Sequence, residues 1–267
     1  MSLTKKLITL SLISVSVIAL SSCVRSSDRM RQGTSDPLSS ESEEKPTIVE
    51  KPEEVAAINP QSSDYLYRAD SYNESYEHDK AIDYYTKAIA ADPQNAVAYE
   101  GRADIYEKLQ QYDKAIADLT QSIAIDPYNV SAYDRRAFIY HYYLSEPDKA
   151  IADLTKAIAL ETKYEFNSQG KSGYLMSYEI YTLDSLYELR GRVYLELKQY
   201  DKAIADYTKA IAISSEYAPA YKNRGDLYQE TGNITQAKQD WIEAASLYQQ
   251  QDNMEQSQII QQQLEKL

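Results

Sequence analysis

The residues able to do chemistry in this chain are few and scattered. There are two histidines, His78 and His141, in different stretches, and a single cysteine, Cys23, far from both. A zinc site needs three or four such ligands brought together by short spacings. Acid–base or nucleophilic catalysis needs groups that converge. Neither set can be assembled, so no catalytic residue, metal ligand or cofactor contact is expected, no small-molecule substrate is implied, and the chain does not read as an enzyme. The triplet Gly170-Lys171-Ser172 has the ending of a phosphate-binding loop, but the glycine that must open such a loop falls at Glu165, and no apolar strand precedes it. Carboxylates are abundant, 41 Asp and Glu together, so closeness of any two carries little information. The net charge of −13 speaks against a phosphate-backbone partner, because affinity for nucleic acid rests on clustered Lys and Arg.

Cys23 is better explained by what precedes it. Residues 1–22 carry two lysines, an apolar run from Leu7 to Leu20 and two small residues, the layout of a secretory leader. The run is too short for the roughly 18 to 20 residues that span a bilayer. Leu20-Ser21-Ser22-Cys23 resembles the lipobox of bacterial lipoprotein signals. That resemblance implies that Cys23 becomes the acylated first residue of a mature protein held at the extracytoplasmic face of a membrane. Val24 is not the aspartate that favours inner-membrane retention, so where there are two membranes the outer one is expected. Residues 23–61 are rich in Ser, Pro and Glu and bury too little to order themselves, which makes them a flexible linker.

The elements that must position any binding residue repeat. An alanine recurs at Ala81, Ala115, Ala150, Ala203 and Ala237, spaced 34, 35, 53 and 34. Around it recur an aromatic (Tyr65, Tyr99, Tyr133, Tyr187, Tyr221), a small residue (Ala69, Ala103, Ala137, Gly191, Gly225) and a second tyrosine (Tyr72, Tyr106, Tyr140, Tyr194, Tyr228). Their helical spacing puts small and large residues on one face, where close-packed helices need them. A 34-residue period means stacked helical hairpins. Asp79, Asp113, Asp148, Asp201 and Thr235 are read as caps of the second helices. Arg68, Arg102, Arg136, Arg190 and Arg224 face Asp118, Asp153, Asp206 and Asp240 as structural ion pairs.

These positions resemble the tetratricopeptide repeat (TPR). The resemblance implies an all-α fold, a right-handed α-solenoid of stacked helix-turn-helix hairpins over 62–250, with units 62–95, 96–129, 130–164, 184–217 and 218–250. An insertion occupies 165–183, and Met176, Ile180 and Leu183 in it, with Tyr187 beyond it, suggest a backward extension of the next helix. Residues 251–267, opened by Asp252 and carrying Ile260 and Leu264 on one side, read as a C-terminal capping helix. The resemblance also implies a concave groove, lined by the first helices, for protein or peptide partners. Its positions here are Asp70, Glu74, Glu100, Asp104, Glu107, Asp134, Phe138, Tyr142, Glu188, Arg192, Asp226 and Glu230, together with Asn73, Lys108, Arg135, His141, Glu196, Lys222 and Asn223. Acids outnumber bases there, so a neutral or basic segment is the expected ligand, with Phe138 and Tyr142 as an apolar anchor. The residues that would clamp a C-terminal carboxylate are missing. The reading is a lipid-anchored adaptor for assembly of envelope machinery. A self-associating structural envelope protein and an unprocessed cytoplasmic co-chaperone remain as alternatives.

Overall fold

The computed structural model describes residues 59–167 and 182–266. The leader, all but the end of the linker, most of the insertion with Met176 and Ile180, and Leu267 lie outside the described residues. Among the described residues there are eleven helices and no strand. They form five hairpins: α1 Pro60–Glu74 with α2 His78–Ala91, α3 Ala96–Lys108 with α4 Tyr112–Ile125, α5 Val130–Tyr142 with α6 Pro147–Asn167, α7 Leu183–Glu196 with α8 Tyr200–Ile213, and α9 Ala218–Glu230 with α10 Ile234–Gln250. The last helix, α11 Met254–Leu264, packs on α10. Each second helix also packs on the first helix of the following hairpin, α6 on α7 included. The core is accordingly not one mass but a row of apolar clusters, each shared by neighbouring helices. This is the solenoid that the repeat predicts, in which each hairpin leaves an apolar side for its neighbour to cover.

The helix ends depart from the sequence reading. Asp79, Asp113 and Asp201 stand inside the first turn, not at the cap; the cap positions are Glu77, Gln111 and Gln199, and none makes a side-chain capping bond. In α6 and α10, Asp148 and Thr235 likewise lie inside the helix, which opens at Pro147 and Ile234. The aspartates act on the free N–H end of the helix by charge instead. What forces these turns is the residue before each cap. Tyr76, Gln110, Ser145, Lys198 and Gly232 all have φ between 53° and 81°. In all five hairpins the next N–H returns to a tyrosine carbonyl: Glu77 to Tyr72, Gln111 to Tyr106, Glu146 to Tyr140, Gln199 to Tyr194 and Asn233 to Tyr228, at 2.7 to 2.9 Å. This left-handed C-terminal closure usually takes glycine, and only Gly232 supplies it here. At α11 the cap is Asn253, whose side chain accepts from Gln256, while Asp252 holds the left-handed position at φ 58°. The proposed backward extension of α7 is interrupted, since Thr182 is extended at φ −99° and ψ 151°.

Stacking is reinforced by a ladder of arginines. Arg102 donates to both oxygens of Asp118 in its own hairpin at 2.7 and 2.8 Å, and through Nη1 to Thr86 Oγ1 of the preceding one at 3.0 Å. The same three bonds join Arg136 to Asp153 and Thr120, Arg190 to Asp206 and Thr155, and Arg224 to Asp240 and Thr208. Each guanidinium also lies over tyrosine rings: Tyr99 and Tyr106 for Arg102, Tyr187 and Tyr194 for Arg190, Tyr221 and Tyr228 for Arg224. Planar guanidinium suits both tasks at once, a bidentate carboxylate and an aromatic face.

Candidate functional site

The first helices α1, α3, α5, α7 and α9 lie side by side, and the predicted groove residues fall along them. Four of the carboxylates there, Glu100, Asp104, Glu107 and Glu188, hold these helices to one another. Asp104 sits 2.7 Å from Lys108 and 2.7 Å from Arg135, and accepts a hydrogen bond from Asn73 at 3.3 Å. Arg135 reaches Glu107 as well, at 3.0 Å. Burial pushes Asp104 up, but Arg135 and Lys108 outweigh it and hold the carboxyl below its ordinary value. Glu100 accepts from Asn129 at 2.8 Å and from Ser131, both in the next hairpin. Glu188, buried on α7, accepts from Asn223 on α9 at 2.5 Å; burial raises its carboxyl despite Arg192.

Other predicted residues are turned inward to their own hairpin. Asp70 accepts from the Tyr85 hydroxyl at 2.5 Å, and Asp226 from the Trp241 indole N–H at 2.8 Å. Burial raises the Asp70 carboxyl. Asp134 is buried. At the ends of the row Glu74 is exposed, and Glu230 is exposed while accepting from Tyr200 at 2.6 Å. The structure therefore brings Asn73, Asp104, Glu107, Lys108 and Arg135 into one network, and Glu188, Arg192 and Asn223 into another. Asp70, Asp226 and Glu230 belong to neither.

Between the two networks the surface is aromatic. Phe138 packs on Tyr142 with ring centres 4.3 Å apart, and its edge meets Tyr143 at 6.0 Å. Tyr143 stacks on Tyr112 at 4.1 Å. Tyr142 is 37% exposed and Tyr143 is 45% exposed. Arg192 lies 5.2 Å above the Tyr142 ring, and its nearest carboxylate, Glu188, is 3.9 Å away. Behind Tyr142 the His141 ring makes an edge contact at 4.3 Å. Phe138, His141 and Tyr142 on α5 and Arg192 on α7 were all named from the sequence as groove positions. Tyr143 and Tyr112 were not: Tyr143 stands just past the end of α5 in the longer turn of unit three, and Tyr112 opens α4 in the hairpin before it. Tandem aromatics at 142 and 143 beside an irregular turn were the available signal.

Among the described residues, no group of three or more His, Cys, Asp or Glu side chains is placed to hold a metal ion, and no helix is long and apolar enough to cross a membrane. Three segments match repeat models: residues 65–95 and 84–117 match the tetratricopeptide repeat, and residues 191–232 match the TPR repeat. The chain thus contains tetratricopeptide repeats, and the matching models describe a repeat, not a catalytic domain. A curated relative, the uncharacterized protein ycf37 of Guillardia theta, is 34% identical over 61 residues, 23% of this chain; the match spans 34% of that protein's length. Solved structures similar in fold include MamA, at 24% identity and TM-score 0.59 over 72% of this chain and 94% of the other. PilW, described as a type IV pilus biogenesis factor, is 19% identical with TM-score 0.56, over 77% of this chain and 93% of its own. YrrB, described as a TPR protein with an unusual peptide-binding site, is 19% identical with TM-score 0.56, over 76% and 91%. At such identities the likeness is one of fold.

Proposed function

We propose that the chain is a scaffold that holds a protein segment on the face of its first helices, anchored to a membrane through acylated Cys23 and working at the extracytoplasmic side in assembly of envelope machinery. The observation that carries the binding role is the open aromatic patch of Phe138, Tyr142 and Tyr143 beside Arg192, set in a row where the neighbouring charges are already matched. Fixed charge pairs contribute specificity by exclusion more than by affinity, whereas exposed aromatic side chains beside an arginine are the usual anchors of protein contacts. The preferred segment is therefore neutral and apolar where it meets the patch, with basic residues favoured toward the exposed carboxylates Glu74, Glu196 and Glu230. A protein of this fold described as binding peptide supports the reading, and one described as a pilus biogenesis factor supports the envelope role. The lipobox at Leu20 to Cys23 supports the anchor.

One experiment tests both parts. In cells making the full chain with a photoreactive phenylalanine analogue at position 142, a discrete crosslinked adduct is expected, and none from position 213, exposed on α8. Phe138→Ala should abolish the adduct, and Cys23→Ala should move chain and adduct from the membrane to the soluble fraction. Equal adducts from both positions would remove the groove assignment, and unchanged fractionation would remove the anchor.

A further inference from the structure

We infer that the outer side of α11 is a self-association surface, on which a second copy of this chain docks with its own α11 antiparallel. Continuing the 34-residue register past the fifth hairpin puts Ile259 in the slot of Ala69, Ala103, Ala137, Gly191 and Gly225. In the hairpins that small residue faces a second helix, Gly191 against Tyr207 and Gly225 against Trp241. α11 packs on α10, but no later helix among the described residues covers the slot of Ile259, which is 40% exposed. Ile242 takes the slot held by Thr86, Thr120, Thr155 and Thr208, where each threonine receives the next arginine; the arginine slot opposite is now Gln258, and Ile242 is 59% exposed. A solenoid end meant only for water carries a polar outer face. Here isoleucine replaces threonine and glycine.

The chemistry of the exposed stripe says what covers it. Ser257 and Ile260 are buried toward α10, with the Ser257 hydroxyl donating to Ala245 O at 2.9 Å. On the other side Glu255, Ile259, Gln262 and Lys266 follow one another at helical spacing, and all four are exposed. Neither Glu255 nor Lys266 forms an ion pair among the described residues. Two such stripes laid antiparallel about a two-fold axis set each Glu255 against the other copy's Lys266 and each Ile259 against Gln262. The stripe is thus complementary to itself, as a two-fold interface must be. Elsewhere the net charge of −13 drives two copies apart, and this is a face on which charges cancel pairwise. An eleven-residue helix is only about 16 Å long, short of the roughly 800 Å² per partner of a stable complex. Association is therefore weak in dilute solution and grows with local concentration.

Sedimentation equilibrium of the full chain tests this. A monomer–dimer equilibrium is expected, with a Kd on the order of 10 to 100 µM, the strength of a small interface. Ile259→Gln should weaken it at least tenfold while leaving helicity and thermal midpoint unchanged, because the side chain is exposed. Glu255→Lys should do the same through like charges, and Glu255→Lys combined with Lys266→Glu should restore the dimer to within about threefold. A chain that stays monomeric across that range, or a charge reversal that fails to restore association, overturns the proposal. Phe138→Ala should leave the dimer intact, so the result stands apart from the groove reading.

Discussion

A buried imidazole with no hydrogen-bond partner is a charge-state sensor by default. The His141 side chain is 1% exposed, and neither ring nitrogen has a hydrogen-bond partner among the described residues. Glu196 Oε2 lies 3.4 Å from Nδ1 but is poorly aligned to accept from it. Burial holds the imidazole pKa below its ordinary value; Glu196 opposes this less strongly, and Arg192 adds to it. In the unfolded chain the ring takes a proton near pH 6.5, whereas in the fold it resists protonation. The stability this contributes is complete above that pH and is lost as pH falls below it. The thermal midpoint should therefore drop between about pH 7 and 5, and His141→Met should flatten that part of the profile while leaving losses at lower pH. Those later losses include Asp104, whose lowered pKa keeps its stabilising pairs until the pH falls below the ordinary carboxylate range. A profile of the same shape in His141→Met would show that the ring is not the sensor. The sequence reading set His141 among the groove positions, whereas its side chain is buried; that burial and the distance to Glu196 depend on how two hairpins meet, which no local pattern encodes.

At the scale of the helix pair, the glycines and the large aromatics form matched sets. Tyr207 and Trp241 occupy the slot in which units two and three carry Leu119 and Leu154. A Cβ added at Gly191 would come within 2.7 Å of the Tyr207 ring, and one at Gly225 within 2.7 Å of Trp241. In unit one the small residue is Ala69, and Tyr85 leans the other way, onto Gly101 of the next hairpin, 2.5 Å from where a Cβ would stand. Each large ring has a glycine, and the leucines have none against them. Gly191→Ala should then cost about 1 to 3 kcal/mol through overpacking, read as a lower denaturation midpoint. Adding Tyr207→Leu should recover most of it, since a leucine sits at that slot against alanine in units two and three. No recovery would mean that the glycine serves the backbone and not the ring. The small-residue slot was readable from spacing alone. The pairing was not, because it joins residues from two helices, and in one case from two hairpins. The closing turns were hidden for a different reason: Tyr76, Gln110, Ser145 and Lys198 adopt positive φ without the glycine that would have marked it.

The whole molecule depends on whether the stacking register survives the insertion between the third and fourth hairpins. It does: Arg190 Nη1 donates to Thr155 Oγ1 at 3.0 Å, the same rung that joins every other neighbouring pair from Arg102 to Arg224, although the two helices are separated by the longest break in the repeat. The 53-residue spacing marks an insertion, and the ladder shows that the hairpins on either side of it are direct neighbours, with α6 carried on to Asn167. Position 84 in unit one is Tyr84 where later units have the aspartate, and Ile242 in unit five replaces the threonine, so the ladder's two ends are visible in sequence once its rungs are known. In a row of hairpins stability is a sum of units and nearest-neighbour interfaces, so weakening one interface should divide the unfolding. Arg190 and Asp206 are both largely buried as a bidentate pair, and removing one partner of such a pair costs about 3 to 5 kcal/mol at full burial. Arg190→Ala should lower the stability of the fourth hairpin, where the aspartate is stranded, and also its coupling to the third. Hydrogen exchange should then show amides of 183–266 opening at a lower free energy relative to those of 60–162 than they do in the wild type. Thr155→Val, which removes only the rung between hairpins, should give the same division with about 1 kcal/mol of loss. Uniform weakening of both halves by Thr155→Val would mean that the ladder holds hairpins together internally but carries no coupling along the row.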